Sequence, residues 1–116
     1  MLLNLTNHPS STWPAIQLSS AIEKYGRVID IPFPQIPPEM AGTDLNQLVE
    51  QYVQQVRKLD PIAVHVMGEL TFTFKLVKVL QQLGYTCIAS TTDRIATVDE
   101  NGIKTSTFRF VQFRTY

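Results

Sequence analysis

Two kinds of hydrophobic pattern alternate along the chain. Short apolar runs, typical of buried strands, occupy residues 2–6, 28–31, 62–67 and 85–89. Between them, apolar residues spaced three and four apart form the stripes of three predicted helices. The first stripe runs from Leu18 to Tyr25, the second from Leu45 to Leu59, and the third from Leu76 to Leu83 in a helix that should begin at about Leu70 or Thr71. This alternation predicts a parallel sheet with right-handed crossovers and with helices on both of its faces.

Caps and breakers mark the ends of these elements. Ser11 or Thr12 can cap the first helix, Pro14 suits its first turn, and Gly26 can close it in a left-handed conformation. The prolines within residues 32–38 exclude both a helix and a central strand. We therefore expect that segment to be an extended connection.

The last quarter of the chain differs, because helical spacing gives way to β-branched and aromatic residues. The pair Asn101-Gly102 is a strong hairpin signal, since both residue types tolerate positive φ. We therefore predict a C-terminal β-hairpin over residues 95–116. In its second arm, Phe108 and Phe110 should lie on one side, and the other side should carry Thr107, Arg109, Val111 and Phe113.

Length and composition agree with this fold and narrow the function. A chain of 116 residues suits one domain, so residues 1–116 are expected to form an α/β Rossmann-like three-layer sandwich with a mainly parallel sheet. A hydrophobic content of 44% excludes wholesale disorder. Ten basic residues balance ten acidic ones, which excludes a broad basic face for long duplex nucleic acid but leaves room for a small anionic ligand.

Targeting signals and cysteine content bear on location. No basic segment precedes the first apolar run, so no signal peptide is expected, and no run reaches the roughly 18 apolar residues of a membrane span. The single cysteine, Cys87, excludes a disulfide framework and should be a buried, inert thiol. A cytoplasmic protein is the expectation.

Polar residues cluster where three of the predicted parallel strands end, at residues 7–11, 68–71 and 90–94. In an open parallel sheet, ligands bind beyond the carboxyl ends of the strands, near the point where the strand order reverses. The candidate ligand-binding residues at this edge are Asn7, Ser10, Gly68, Glu69, Thr71, Thr73, Ser90, Thr91 and Thr92.

These clusters suit a phosphate group, although helix capping and turn formation explain the serines and threonines equally well. Glu69 can be an acid or base, or a carboxylate that stabilises a helix N-terminus. Arg94 is the sharpest candidate, because a guanidinium fork can hold a phosphate through two hydrogen bonds. The alternative for Arg94 is a surface ion pair with Asp93 or Glu100.

The two histidines differ in their setting. His8 follows the first strand and can serve as a general acid or base, with Ser11 and Arg94 completing a candidate catalytic set, or it can be a hydrogen-bonded loop residue. His65 lies within a strand among valines, and we interpret it as a structural histidine with satisfied hydrogen bonds. Trp13 can stack on a nucleobase or belong to the core, and the same holds for Phe33.

The common signatures of cofactor and nucleophile sites do not occur in the sequence. There is no G-x-G-x-x-G, no P-loop and no G-x-S-x-G. The histidines are far apart and lack a metal-ligand spacing, so neither a metal nor a cofactor is expected.

Three segments carry a family resemblance: LTNHPSS at residues 5–11, HVMGELTFTF at residues 65–74 and ASTTDR at residues 89–94. Together they resemble the small stand-alone proteins of the CRISPR-associated Rossmann-fold (CARF) superfamily. The resemblance implies a homodimer that binds a cyclic oligoadenylate across its two-fold axis, as an accessory to type III CRISPR antiviral defence. Some members of that superfamily, the ring nucleases, cleave the ring without a metal. It also implies phosphate contacts from Gly68, Thr71, Thr73, Ser90, Thr91, Thr92 and Arg94.

Ring binding, with metal-independent cleavage as a separate question, is therefore the leading expectation. One alternative is a metal-dependent nuclease or phosphatase that uses Asp30, Glu69 and Asp93. Another is a binding-only nucleotide sensor, or a regulatory adaptor whose hairpin and Tyr116-terminated strand add to a partner.

Overall fold

The computed structural model describes residues 1–116 and confirms the alternation of strands and helices. In chain order the elements are β1 (Leu2–Thr6), a 3-10 turn (Ser10–Thr12), α1 (Ala15–Tyr25), β2 (Val28–Asp30), α2 (Gly42–Leu59), β3 (Ala63–Met67), α3 (Leu70–Gln82), β4 (Thr86–Val98) and β5 (Lys104–Thr115). None of the helices combines the length and the apolar character needed to cross a membrane.

The five strands form one sheet in the order β2-β1-β3-β4-β5. Neighbours among β1 to β4 pair in parallel, and β5 runs antiparallel to β4. The chain leaves β1 for the edge strand β2 and returns on the other side of β1, so the strand order reverses between β1 and β3. This topology confirms the predicted α/β Rossmann-like fold with a mainly parallel sheet and a C-terminal hairpin.

Two apolar cores lie on opposite faces of the sheet, as the side-chain period of two along a strand requires. Leu3 and Phe72 belong to the core beneath α2 and α3. Leu2 and Ala21 belong to the smaller core between the sheet and α1. The three layers are therefore α1, the sheet, and α2 with α3.

The sheet face beneath α1 changes character along the strands. Leu2 and Ala63 are apolar and fully buried, whereas Asn4, Thr6 and His65, further along β1 and β3, are buried and polar. Buried polar groups need hydrogen-bond partners, which makes the carboxyl edge of this face the place to look for a site.

The expected helix cap at Ser11 or Thr12 is wrong. α1 begins at Ala15, with Pro14 in the N-cap position and no side chain bonded to the first turn. Ser11 and Thr12 lie in the 3-10 turn, where the Thr12 hydroxyl donates to the carbonyl of Pro9 at 2.7 Å. Proline disfavours helix in the residue before it, so the backbone of Trp13 separates the 3-10 turn from α1, and neither Ser11 nor Thr12 can cap that helix.

The expected loop between a fourth strand and a separate hairpin is also wrong. β4 is continuous, and residues 90–94 pair with β5 in a ladder that extends to Val98 and Lys104. The two β-branched threonines of this segment, Thr91 and Thr92, suit an extended backbone, and the adjacent β5 satisfies its hydrogen bonds. The hairpin therefore spans residues 86–115 rather than 95–116.

A bulge in β5 decides which aromatic side chains share a face. The register shifts between Thr91 and Thr92 of β4, which leaves Val111 as the extra residue in β5. Phe110 and Phe113, although three positions apart, both lie in the core beneath α1. Their predicted placement on opposite sides is wrong because strict alternation is interrupted at the bulge.

Beyond this bulge, the two strands leave the body of the domain. We call residues 92–109 the ribbon, since every residue in it is exposed to solvent. The radius of gyration is 16.2 Å, whereas a compact domain of this length has about 13 Å. The projecting ribbon accounts for this difference.

Candidate functional site

A cavity of about 590 Å³ opens at the carboxyl edge of the sheet, where the strand order reverses. The ends of β1 and β3, the start of α1 and the base of the ribbon surround it. The lining residues are Thr6, Asn7, His8, Thr12, Trp13, Pro14, Gln17, His65, Met67, Gly68, Ser90, Thr92 and Phe108. We refer to this space as the edge cavity.

A divergence of two strands opens the sheet beside the edge cavity. β1 and β3 remain paired as far as Met67, whereas the pairing of β3 with β4 ends at His65 and Ile88. The side chain of Met67 lies between the separated strands, where its sulfur accepts hydrogen bonds from the amide and hydroxyl of Ser90 at 3.3 and 3.1 Å. The splayed strands leave room for a ligand next to Ser90.

The chemistry of the lining is neutral. It offers hydroxyl, amide, imidazole and aromatic groups, and it contains neither a carboxylate nor a fixed cation. A volume of this size lies within the range of small-molecule sites, which is roughly 300–1,000 Å³. Such a lining can bind a sugar or a base, and it has no carboxylate to repel the negative charge of a phosphodiester.

The buried Asn4 fixes the loop that follows β1. Its Nδ2 donates to the carbonyl of His8 at 2.9 Å and to Oδ1 of Asp30 at 2.8 Å. The indole of Trp13 donates to the same carbonyl at 3.0 Å, and the hydroxyl of Thr6 accepts from the amide of His8. These contacts hold the backbone of the loop at the entrance of the edge cavity.

His65 lies at the back of the edge cavity and is only 2% exposed. Its Nδ1 is 3.0 Å from Oδ1 of Asn4, and its ring meets those of Trp13 and Phe113 edge to face, each at 5.4 Å between centroids. Burial, with a smaller repulsion from His8, lowers the pKa of His65 to about 4, so the ring is neutral near pH 7. Its Nε2 has no hydrogen-bond partner, unlike the fully satisfied histidine that we expected.

The structure brings five of the predicted site residues together around the edge cavity: Asn7, His8, Gly68, Ser90 and Thr92. The two β4 residues share a face because they are two positions apart on a strand. Thr91, between them, does not line the cavity, and its hydroxyl donates to the carbonyl of Gln112 at 3.1 Å.

The serines that follow β1 lie outside the edge cavity. The amide and hydroxyl of Ser10 donate to Asp30 at 3.0 and 2.8 Å. Burial alone would raise the pKa of Asp30, but the hydrogen bonds from Asn4 and Ser10 outweigh it and lower that pKa. Ser10 is thus held by a carboxylate that would repel a phosphate, and Ser11 is exposed in the 3-10 turn.

The N-terminus of α3 is already occupied by a carboxylate from the same chain. Glu69 accepts from the amides of Thr71 and Phe72 at 3.1 and 2.8 Å, and from the Thr71 hydroxyl. The bond from Phe72, followed by those from Thr71, lowers the pKa of Glu69. Thr73 is buried and does not line the cavity, so of the residues predicted around this helix start only Gly68 does.

Arg94 has no carboxylate partner. Its guanidinium donates to the hydroxyl of Ser106 at 3.2 Å, whereas Asp93 pairs with Arg109 on the other face of the ribbon. Arg94 pairs across the strands with Phe108, a residue that lines the edge cavity. No carboxylate therefore competes with an anion for its cationic group, although Arg94 does not line the cavity and its bond to Ser106 lies on the side of Phe108 nearer the ribbon turn.

The two aromatic candidates for base stacking are both largely buried. Trp13 belongs to the core beneath α1 and also lines the edge cavity. Phe33 packs edge to face on Phe72 and covers Gly68 so closely that a Cβ there would overlap its ring. Trp13 therefore borders the edge cavity, whereas Phe33 belongs to the core and borders a smaller neighbouring cavity.

Several lining residues escaped the sequence reasoning: Thr6, Thr12, Pro14, Gln17, His65, Met67 and Phe108. Two signals in the sequence could have revealed part of this set. Asn4 and Thr6 alternate with leucines in a strand predicted to be buried, and Gln17 lies one helical turn before the buried Ala21. Polar residues at buried positions are costly without partners, which itself points to a site.

The carboxylates of the metal-dependent alternative are separately engaged. Asp30 holds Asn4 and Ser10, Glu69 caps α3, and Asp93 pairs with Arg109. No group of three metal-ligating side chains comes together in residues 1–116. These contacts give no support to a metal-dependent nuclease.

As expected, Cys87 is buried, which raises its pKa to about 11.

The fold and the edge cavity together define the class: a Rossmann-like α/β domain with a small-ligand cavity at the switch point of its sheet. Comparison with family models gives the particular assignment. The chain belongs to the family described as Uncharacterized protein MJ1673 family, whose model matches residues 1–114. No curated protein and no solved structure matches the chain.

Proposed function

We propose that this chain binds a cyclic oligoadenylate in the edge cavity, as a cytoplasmic homodimer in type III CRISPR defence. The observation that carries the proposal is a cavity lined by neutral hydroxyl, amide and aromatic groups, next to a ribbon that holds an arginine without a carboxylate partner. The resemblance of residues 5–11, 65–74 and 89–94 to CARF proteins supports the same ligand.

The parts of the ligand have matching partners. Trp13 and Phe108 offer aromatic surface to a base, and Ser90 and Thr92 offer hydroxyls to ribose or phosphate. Arg94 would meet a phosphodiester that leaves the edge cavity past Phe108, its partner across the strands. A cavity of about 590 Å³ holds a nucleotide or two rather than a whole ring, so the rest of the ring would extend to a second copy. Two-fold symmetry would place both copies of Arg94 on one ligand.

Cleavage is a separable part of the proposal. The ribose 2′-oxygen would attack the adjacent phosphorus, and the bond from phosphorus to the 5′-oxygen would break, giving a 2′,3′-cyclic phosphate and a 5′-hydroxyl. His8, which lines the edge cavity, would take the 2′ proton and then give it to the departing 5′-oxygen, and Arg94 would stabilise the charge on the phosphoryl oxygens. Ser11 was a further catalytic candidate, and its exposed place outside the cavity lends it no support.

The binding test is a titration with cyclic tetraadenylate and cyclic hexaadenylate, with linear oligoadenylate as the control ligand. At a hundredfold excess over Kd, the ligand should stabilise the fold by about 2.7 kcal/mol, which a thermal shift detects. Arg94→Ala should weaken binding on the order of 10-fold or more, because it removes a charged hydrogen-bond donor.

Arg109→Ala is the matched control. Arg109 lies on the same strand and carries the same charge, but it faces the other side of the ribbon and pairs with Asp93. Its loss should leave ring binding unchanged. Equal effects of the two variants would indicate a nonspecific charge effect, and the absence of any thermal shift with any ring would reject the proposal. Linear products formed in EDTA would support cleavage, and a ring that stays intact would reject it.

The ribbon favours one second candidate, a regulatory adaptor. Its exposed side chains include Ile95, Val98 and Phe108, and apolar groups on a projecting hairpin are suited to a protein partner. Light scattering separates the two: a chain that binds no ring and stays monomeric fits the adaptor, whereas a dimer that binds a ring does not.

A further inference from the structure

His65 carries a polar atom that the fold itself leaves unused. The residue is 2% exposed, and its Nε2 has no hydrogen-bond partner in the chain. Burying a polar atom without a hydrogen-bond partner lowers the stability of the fold, and packing alone does not explain why such an atom is present here.

The hydrogen bonds around Asn4 determine which form of the ring is present. The Nδ2 group of Asn4 faces two groups that can only accept, the carbonyl of His8 and the carboxylate of Asp30. The amide orientation is therefore fixed, and Oδ1 of Asn4 must face Nδ1 of His65 at 3.0 Å. Since that oxygen only accepts, Nδ1 carries the proton and Nε2 carries the lone pair.

The ring that bears this lone pair lines the edge cavity. Its neighbours Trp13 and Phe113 meet it edge to face and hold it in one orientation. Neither aromatic ring donates to Nε2. Because the atom is covered in the free chain, a ligand would reach it by displacing a side chain of the cavity wall.

We infer that His65 is a recognition residue that accepts a hydrogen bond through Nε2 from an N–H or O–H group of the bound nucleotide. The inference rests on the proposed function and names a contact within it. The donor is either the exocyclic amine of adenine or a ribose hydroxyl, both of which present a hydrogen to an acceptor of this kind. A buried acceptor selects strongly, because a ligand without the donor leaves Nε2 unpaired.

Nitrogen NMR of the histidine-labelled full chain tests the inference without a mutation. In the free protein, the spectrum should show a protonated Nδ1 and an unprotonated Nε2 for His65. Addition of cyclic tetraadenylate should move the Nε2 signal as the lone pair accepts a hydrogen bond. Rings made with hypoxanthine lack the amine, and rings made with deoxyribose lack the hydroxyl, so the analogue that abolishes the shift identifies the donor.

Two substitutions provide an independent readout. His65→Asn places an amide nitrogen near the position of Nδ1, where it can keep the bond to Asn4, but it has nothing at the position of Nε2. It should weaken ring binding on the order of 10-fold or more. His65→Gln can bring an amide oxygen to the position of Nε2 and should recover part of the affinity.

The outcomes separate this inference from the function on which it rests. A free protein with the proton on Nε2 overturns the inference whatever the ligand. A ring that binds while the Nε2 signal stays fixed, or a shift that survives in both analogues, overturns the contact with His65 but leaves ring binding intact. Failure of every ring to bind removes both.

Discussion

Strands β4 and β5 run from the body of the sheet into the ribbon, and the two parts depend on different interactions. Below the bulge at Val111, Ile88 and Phe113 pack in the core beneath α1. Above it, all residues of the ribbon are exposed, and only backbone pairing and side-chain contacts across the strands hold them together. The backbone of both strands is extended throughout. The two parts differ in what their side chains contact, which is the core beneath α1 in the body and solvent in the ribbon.

This difference shows that a pair of strands can stay extended and hydrogen-bonded where none of its side chains is buried. An isolated two-stranded hairpin is marginal in water, but the ribbon continues an ordered sheet and ends in a well-bonded turn. The carboxylate of Asp99 accepts from the amides of Asn101 and Ile103, each at 2.9 Å. The edge cavity lies where the two parts join, so its lining combines buried residues of the sheet, such as Thr6 and His65, with exposed residues of the ribbon, Thr92 and Phe108.

The largest expected difference between the parts comes from truncating one phenylalanine in each. Phe72 is fully buried, whereas Phe108 is 67% exposed. Phe72→Ala should lower the free energy of unfolding by about 3–5 kcal/mol, because it leaves a cavity in the core. Phe108→Ala should change it by no more than about 0.5 kcal/mol. Urea denaturation measures both, and a comparable loss from Phe108→Ala would show that the ribbon is packed against something in solution.

The second expected effect is an acid sensitivity confined to the body. An unfolded histidine takes up a proton near pH 6.5, whereas folded His65 does so only at about pH 4. Between these values the unfolded state binds more protons, so stability should fall as the pH falls, by about 3 kcal/mol in total. The lowered pKa values of Asp30 and Glu69 add a further loss as the pH falls through them.

Denaturation curves at several pH values check this expectation. The slope between about pH 6.5 and 5, where carboxylates contribute little, should disappear in His65→Asn, which has no group titrating at that position. A wild-type protein equally stable at both ends of this window would contradict a neutral, buried His65, and with it the assignment of the Nε2 lone pair.

The architecture could be predicted because it follows from periodicity, which is a local property of the sequence. The stripe from Leu45 to Leu59 and the run from Ala63 to Val66 each identify their element without knowledge of the rest of the chain. The ends of the elements were harder to predict. The continuation of β4 through residues 90–94 depends on pairing with β5, which is a contact between distant residues.

The site was predicted in part for the same reason. Its location follows from topology, since the carboxyl ends of parallel strands must meet at one edge. The roles of individual side chains depend on partners that only the fold supplies: Ser10 is held by Asp30, and the start of α3 is filled by Glu69. His65 looked structural among valines, because a sequence cannot show that one ring nitrogen is bonded and the other is not.

A third prediction contrasts one glycine from each part. Gly68 lies beneath the ring of Phe33, so Gly68→Ala should cost about 1–3 kcal/mol of stability through overpacking. Gly102 lies in open space at the ribbon turn with φ of 78°, so Gly102→Ala should cost about 1 kcal/mol through backbone strain alone. Thermal denaturation compares them, and only Gly68→Ala should also weaken ring binding. A larger loss of stability in Gly102→Ala than in Gly68→Ala would mean that the ribbon turn contributes more to stability than the packing of Phe33 on Gly68.

The smallest expected effect concerns the ion pair of the ribbon. Arg109 and Asp93 are 3.2 Å apart, and their side chains are 67% and 58% exposed. An exposed pair of this kind contributes about 0.2–1 kcal/mol and is screened by salt. A double-mutant cycle with Arg109→Ala and Asp93→Ala should therefore give a coupling in the lower part of that range, and it should weaken further at high ionic strength. A coupling well above this range that persists in salt would mean that this face of the ribbon is shielded from water in solution. The contrast between a packed body and a solvated ribbon would then describe a single chain but not the assembly that it forms.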